Sequence, residues 1–267
     1  MISNDTIRKT IITTYFWFWI SVGTLLTMII NFIGILLGME PHVQRRFIEI
    51  FIAEFPSTMM ELIGFWEIEY VYDFDMSDVS DMDEYYHVNE SYVIVSNHTS
   101  VIDTMFTAQL PFTKVFTWNK KWAYTPGFGW LCYLAEHIAI DKSSSKSRES
   151  AITQSLDMLK MGYSIIFYPE GTRNRNPSKN ILLPFKTGAF RVALESGKRI
   201  LPVTLVGTND ACNGFVCDYA KIKIIVNHPI TMIRSEYNIR SQIESSEYNI
   251  ETTMEHVRTI MIDNISQ

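Results

Sequence analysis

Residues 1–66 differ from the rest of the chain in their hydrophobic pattern. Residues 11–38 form an apolar run without Asp, Glu, Lys or Arg, and about 20 such residues suffice to cross a bilayer as a helix. Residues 43–66 place apolar side chains at helical spacing between charged ones, an amphipathic pattern that Pro56 is expected to kink or break. A membrane-embedded helical hairpin is therefore predicted, either seated in one leaflet or formed by a span and an interfacial helix.

After residue 66, strand-like apolar runs alternate with helical patterns. The predicted strands cover residues 67–74, 92–95, 115–118, 138–140, 164–168, 200–206 and 221–226. The predicted helices cover residues 100–109, 147–160, 187–196 and 251–265. This alternation is typical of an α/β domain, so we expect residues 67–267 to form a mixed, largely parallel sheet flanked by helices. In such domains chemistry gathers at the carboxyl ends of the strands.

Charge and cysteine content exclude several classes of protein. A formal net charge of -6 and a pI near 5.5 argue against a nucleic-acid partner, which requires a basic surface. The three cysteines, Cys132, Cys212 and Cys217, are too few for a disulfide framework and indicate a reducing compartment. They lack zinc-finger spacing, and the acidic residues 75–84 lack the glycine of a calcium loop, so no metal site is predicted.

The stretch VIVSNHTSVIDTMF places His98 and Asp103 just after a predicted strand. If His98 lies in the loop and Asp103 in the first helical turn, the carboxylate can bind one ring nitrogen and leave the other to deprotonate a hydroxyl. Ser100 and Asp103 also match a helix-capping box, which explains the acid without catalysis. Asn97-His98-Thr99 is in addition a glycosylation sequon. A glycan there would obstruct the base, so the catalytic interpretation requires an unmodified Asn97.

A second strand ends in polar residues at SIIFYPEGTRNRNP. Residues 169–173 supply an acid, a hydroxyl and a guanidinium around Gly171, which permits close approach to the backbone. Arg173 suits bidentate recognition of a phosphate group. The alternative is a polar turn in which Glu170 pairs with Arg173.

Taken together and in order, these stretches resemble the glycerolipid acyltransferase family of the H-x4-D type. The match begins with Asn97-His98-x4-Asp103 and continues with residues 167–173, and it is most similar to the 1-acylglycerol-3-phosphate acyltransferases. Residues 120–129 leading to Asp141-Lys142 resemble a further family block. Residues 183–189 resemble the segment that follows the family's third block, and residues 201–203 resemble its fourth block. The resemblance covers about residues 91–207.

The resemblance implies a role for each matching residue. His98 would be the general base on the hydroxyl of a lysophospholipid, which attacks the thioester of acyl-CoA, and Asp103 would orient His98. The implied phosphate-binding residues are Glu170, Gly171, Thr172, Arg173 and Lys120. Further substrate-binding candidates are Asn97 and Lys142. The family uses acyl-CoA as co-substrate and needs no metal, no other cofactor and no acyl-enzyme.

Two positions depart from the family pattern. Lys142 stands where the family has Arg, which keeps the charge but loses the bidentate fork. Glu136 stands where many members have Gly, which affects the geometry of the preceding loop.

We therefore expect a 1-acyl-sn-glycerol-3-phosphate acyltransferase that converts lysophosphatidic acid to phosphatidic acid. Alternatives are the same chemistry on glycerol-3-phosphate or another lysophospholipid, a hydrolase in which His98 activates water, or a non-catalytic lipid-binding protein. The expected partners are acyl-CoA, lysophosphatidic acid or a related lysophospholipid, and the lipid bilayer; the sequence does not identify a protein partner. The expected location is a membrane with the active site facing the cytosol, in the endoplasmic reticulum of a eukaryote or the inner membrane of a bacterium.

Overall fold

The computed structural model describes residues 3–73, 91–125, 128–179, 181–232 and 242–266. The helices are α1 (Asn4–Leu36), α2 (Pro41–Glu49), α3 (Phe55–Leu62), α4 (Asp103–Ala108), α5 (Phe128–Leu134), α6 (Ser145–Lys160), α7 (Gly188–Ser196), α8 (Thr208–Ala211) and α9 (Gln242–Ser266). The strands are β1 (Trp66–Tyr72), β2 (Val93–Ser96), β3 (Lys114–Asn119), β4 (Ile138–Ile140), β5 (Ser164–Phe167), β6 (Ile200–Val206), β7 (Cys212–Asn213), β8 (Val216–Cys217) and β9 (Ala220–Val226). The predicted acidic loop, residues 75–84, lies outside the described residues.

The central sheet has seven strands in the order β1-β9-β6-β2-β5-β3-β4. Strands β2 to β6 all run parallel, whereas β9 is antiparallel to β6 and carries β1 parallel beside it. The predicted mixed, largely parallel sheet flanked by helices is thus confirmed. Because β2 lies between β6 and β5, the loops that follow these three strands meet at one edge of the sheet.

Alternate side chains of the strands enter two apolar layers, one on each face of the sheet. In β2, Ile94 joins a core that includes residues of α1 and α4, whereas Val93 and Val95 join the core beneath α6, α7 and α9. All three side chains are fully buried, as expected for a central parallel strand covered on both faces. Packing on both faces therefore fixes the position of the carboxyl end of β2, where the loop with His98 begins.

The apolar N-terminal helix that the sequence predicts is confirmed as α1. By length and composition it is the one helix in the described residues that could cross a membrane, and only 22% of its most apolar window is buried. One face packs on the protein so closely that a Cβ at Gly23 would lie 1.9 Å from the backbone oxygen of Phe51. Another face leaves large side chains exposed, such as Phe18, Leu25 and Phe32.

The return segment is interrupted where the sequence places Pro56. A π-helical segment, Ile50–Glu54, separates α2 from α3. Pro56 has no backbone N–H to donate to a carbonyl one turn earlier, so the regular hydrogen-bond ladder cannot continue through it. The predicted division into residues 1–66 and 67–267 stays a prediction, since side chains of α1 such as Ile12 and Phe16 share one core with the sheet.

Helix α2 is held against the β4 edge of the sheet by the buried guanidinium of Arg45. Its Nε donates to the carbonyl of Ala135 at 2.8 Å, and its Nη2 bonds Glu136 at 2.9 Å. The cation also lies 4.6 Å from the ring centroid of Tyr163. Glu136 has a positive φ of 53°, a conformation that glycine adopts without strain.

A second buried cation is Lys114, the first residue of β3. Its Nζ donates to the carbonyls of Leu110 and Phe112, both at 2.9 Å, and lies 3.5 Å from the carboxylate of Glu49 on α2. Burial and the charges of Arg45 and Lys114 lower the pKa of His137 to about 3. The imidazole is therefore neutral in the folded protein at neutral pH.

His137 makes stability depend on pH. Its pKa lies below the ordinary value of 6.5, so the unfolded chain binds a proton first as the pH falls. We expect the free energy of unfolding to decrease between about pH 6.5 and pH 4, and His137→Gln to show a smaller decrease than the wild type over this range. Urea unfolding in detergent at several pH values measures this difference, and identical slopes for the two proteins would exclude the effect.

Candidate active site

His98 and Asp103 meet at the carboxyl end of β2. Nδ1 of His98 lies 2.7 Å from Oδ2 of Asp103, so the predicted contact is present. The Asp103 side chain is completely buried, whereas that of His98 is 19% exposed. Among the described residues, none hydrogen-bonds to Nε2 of His98. With Nδ1 donating to the carboxylate, Nε2 carries the lone pair that a general base requires.

The same carboxylate oxygen organises the turn before α4. Oδ2 of Asp103 also accepts the backbone N–H groups of Thr99 and Ser100, at 2.7 and 2.8 Å. The prediction that the helix starts at Ser100 is wrong, because α4 begins at Asp103 and Ile102 is its N-cap. Ser100 does not cap the helix, because its hydroxyl donates instead to the carbonyl of Cys212. Only the reverse half of the capping box forms, in which the acid reaches back to the N–H of Ser100.

The loop after β5 is attached to the His98 loop through Glu170. This buried carboxylate accepts the N–H of His98 through Oε1 and the N–H of Leu183 through Oε2, both at 2.8 Å. In the opposite direction, the N–H of Asn174 donates to the carbonyl of His98 at 2.7 Å. Burial raises the pKa of Glu170, and the bonds from Leu183 and His98 partly oppose the shift. Glu170 therefore joins two loops, and its predicted part in phosphate binding stays a prediction.

Asn97 has a comparable role on the other side of β2. Its amide Nδ2 donates to the carbonyl of Leu205 at 2.9 Å, and its Oδ1 accepts the N–H of the same residue at 2.7 Å. The side chain is 1% exposed. Since both polar groups are engaged with β6, the geometry gives its predicted substrate contact no support. The same burial leaves no room for a glycan on Asn97.

Tyr168 is a site residue that the sequence analysis did not single out. Its ring stacks on the imidazole of His98, with centroids 4.3 Å apart and planes inclined by 24°. Its hydroxyl is hydrogen-bonded to Thr107 of α4 at 2.8 Å. Burial and the charge of Asp103 hold the pKa of Tyr168 well above its ordinary range, so the hydroxyl stays protonated. The aromatic residue before Pro169 was the available signal in the sequence.

The predicted cations lie on loops at the same edge of the sheet. Arg173 is half-buried and forms no ion pair with any described residue, and Thr172 beside it is exposed. Lys120 opens a single 3-10 turn (Lys120–Trp122) directly after β3. Lys142 follows β4, and its Nζ donates to the carbonyl of Gly171. Lys142 thus contacts the loop of residues 169–173, which itself contains Thr172 and Arg173.

Comparison with known proteins identifies a family for the segment that contains the predicted site residues. The model of the family described as Acyltransferase matches residues 78–206. This part of the chain is a domain of the acyltransferase family. It contains β2 to β6 and all the predicted site residues.

Curated relatives of the acyltransferase domain carry one name. A chloroplastic 1-acyl-sn-glycerol-3-phosphate acyltransferase of Brassica napus is 26% identical over 168 residues, 62% of this chain and 48% of the relative. A 1-acyl-sn-glycerol-3-phosphate acyltransferase of Salmonella typhimurium is 33% identical over 123 residues, 45% of this chain and 49% of the relative. In both cases the match spans about half of the relative's length.

One solved structure extends the likeness beyond the acyltransferase domain. The 1-acyl-sn-glycerophosphate acyltransferase PlsC of Thermotoga maritima superposes with a TM-score of 0.68, at 20% identity, over 95% of this chain and 96% of that protein. The two proteins therefore share a fold, including the N-terminal helices.

The stacking of Tyr168 on His98 predicts an effect on catalysis in the acyltransferase domain. Tyr168→Leu removes the ring, and an aromatic contact contributes about 0.5–1.5 kcal/mol, so kcat should fall about two- to tenfold. Tyr168→Phe keeps the ring and should stay closer to the wild type, since only the bond to Thr107 is lost. Steady-state kinetics of both variants measure the difference. Equal kcat values for Leu and Phe would show that the ring does not position His98.

Proposed function

We propose that the chain is a 1-acyl-sn-glycerol-3-phosphate acyltransferase that uses acyl-CoA as donor and His98 as general base. The observation that carries the proposal is the hydrogen bond from His98 to the buried Asp103, which leaves Nε2 as the acceptor of a proton. The names of the relatives support lysophosphatidic acid as the acceptor. The cations beside the site suit an acceptor that bears a phosphate group.

The reaction proceeds in two steps at one carbonyl carbon. Nε2 of His98 takes the proton of the acceptor's 2-hydroxyl as the oxygen attacks the thioester carbonyl of acyl-CoA, which forms a C–O bond and a tetrahedral oxyanion. When the oxyanion collapses, the C–S bond breaks and the thiolate of CoA leaves. The imidazolium of His98 then returns the proton to the thiolate. Asp103 stabilises the imidazolium and holds its Nδ1 proton throughout. The products are phosphatidic acid and CoA.

Arg173, Thr172 and Lys120 are assigned to the acceptor's phosphate. A guanidinium that pairs with no carboxylate of the described residues offers two parallel N–H donors to phosphate oxygens. Gly171 has a φ of +68°, which L side chains rarely adopt, and it turns the chain between Glu170 and Thr172. Glu170 keeps this turn attached to the His98 loop, and in this way the phosphate site and the base hold a constant separation.

The helical segment seats the enzyme in one leaflet. The two ends of the helical segment, residues 4–66, both contact Asp218. Arg8 near the start of α1 pairs with the Asp218 carboxylate at 2.9 Å, and the indole N–H of Trp66 donates to the Asp218 backbone carbonyl at 3.1 Å. A single span would hold its two ends about 30 Å apart, on opposite sides of the bilayer. The helical segment therefore enters the membrane and leaves it on the side where the sheet lies. This favours a hairpin seated in one leaflet over a span followed by an interfacial helix.

This arrangement gives each substrate a route. The lysophospholipid reaches the site from the leaflet that holds the hairpin, and acyl-CoA reaches it from the aqueous side. Acyl-CoA is made in the cytosol, so we assign the active site to the cytosolic face of the membrane, the endoplasmic reticulum in a eukaryote or the inner membrane in a bacterium.

Replacing His98 tests the mechanism. His98→Ala should lower kcat by about 10²- to 10⁴-fold, the usual contribution of a general base, while the protein remains folded. The matched control is His256→Ala, an exposed histidine on α9, which should keep wild-type activity. The assay follows acyl-CoA consumption and product mass with lysophosphatidic acid, with glycerol-3-phosphate and without acceptor.

Two outcomes would contradict the proposal. Near-wild-type turnover by His98→Ala would exclude His98 as the base. Consumption of acyl-CoA at the same rate without an acceptor would identify a hydrolase instead.

A further inference from the structure

We propose that Lys186 and Lys142, whose ammonium groups both lie against Gly171, form a phosphate-binding subsite for a phosphate group of one of the two substrates. The inference rests on the proposed function for the identity of those substrates. It adds Lys186, which lies outside the residues assigned to phosphate so far, and gives Lys142 a defined ligand.

The positions of the two ammonium groups are fixed by one loop. Nζ of Lys142 donates to the carbonyl of Gly171. A Cβ built on Gly171 would lie 2.5 Å from Nζ of Lys186 and 2.8 Å from its Cε, so this second ammonium lies directly against the glycine. The backbone N–H of Lys186 donates to the carbonyl of Pro169 at 2.8 Å, which ties its segment to the same loop. The absence of a side chain on Gly171 thus makes room for Lys186.

No carboxylate in the described part of the chain pairs with these two charges. Among the described residues, neither Lys142 nor Lys186 has an acid within ion-pair distance. The nearest acid along the chain, Asp141, accepts the N–H and the hydroxyl of Ser143 through Oδ1. Desolvation beside the loop lowers the pKa of Lys142, although the residue as a whole is exposed, and the charges of Lys186 and Lys121 lower it further.

A cluster of like charges costs free energy in the unliganded protein, and an anion between the ammonium groups offsets this cost. The net charge of the chain is -6, so a general excess of lysine does not account for the cluster. Phosphate oxygens can accept from both Nζ groups at once. The subsite lies one residue from Glu170, which binds the N–H of His98, so a phosphate held there is positioned relative to the base.

Two phosphate sources fit this chemistry, the acceptor's phosphomonoester and the phosphates of the CoA moiety. Lys186→Gln should raise the KM for the substrate that uses the subsite about tenfold or more, since a charge-assisted hydrogen bond is lost. The kcat should stay within about threefold, as expected for loss of uniform binding. Lys186→Arg should restore most of the affinity. The substrate whose KM rises identifies the phosphate source.

A second measurement does not depend on activity. The purified full chain is acetylated with a lysine-reactive ester, with and without inorganic pyrophosphate, and the modification of each lysine is read by peptide mass spectrometry. Pyrophosphate should protect Lys186 and Lys142. The control is Lys160, an exposed lysine at the end of α6 near the amino end of β5, whose labelling should not change. Lys160→Gln serves as the kinetic control and should keep both KM values.

The two measurements separate the subsite from the proposed function. Unchanged KM values for both substrates in Lys186→Gln, with no selective protection of Lys186, would overturn the subsite while leaving the acyltransferase reaction intact. Selective protection in a wild-type protein that transfers no acyl group would uphold the subsite and overturn the proposed function.

Discussion

One carboxylate oxygen holds the candidate site together. Oδ2 of Asp103 accepts hydrogen bonds from the imidazole of His98 and from the N–H groups of Thr99 and Ser100. A buried carboxylate is costly unless donors surround it, so this oxygen dictates the path of the chain from β2 into α4. The same bonds that stabilise the turn also fix the tautomer of His98. The helix start and the contact between His98 and Asp103 are therefore two results of one constraint rather than alternatives.

The sheet order determines which residues can join this constraint. Since β2 and β5 are parallel neighbours, the loop with Glu170 ends beside the loop with His98, and the Glu170 carboxylate bonds them directly. The cationic side chains of Lys120, Lys142 and Arg173 lie after the neighbouring strands β3, β4 and β5, although the chain has a net negative charge. His98, its hydrogen-bonded partner Asp103 and several cationic side chains are thereby placed at one edge of the sheet.

Much of the fold could be predicted from the sequence because its strands are strongly apolar. The predicted strands 138–140 and 200–206 coincide with β4 and β6, since turn-forming or polar residues bound both runs. The two-residue strands β7 and β8 were missed, because strands this short carry no periodicity. The motifs around His98 and Glu170 were found by order along the chain. Tyr168, Lys186 and the hydroxyl bond of Ser100 to Cys212 were not, since each is defined by a contact between segments distant in sequence.

The tautomer of His98 tests the central claim most directly. Nitrogen-15 NMR of the protein in detergent, with the His98 signals assigned by their loss in His98→Gln, measures which ring nitrogen bears the proton when the imidazole is neutral. The geometry predicts a protonated Nδ1, bonded to Asp103, and an unprotonated Nε2. A neutral imidazole with its proton on Nε2 and none on Nδ1 would contradict the account. Nε2, which is proposed to take the proton of the acceptor's hydroxyl, could then not act as a base.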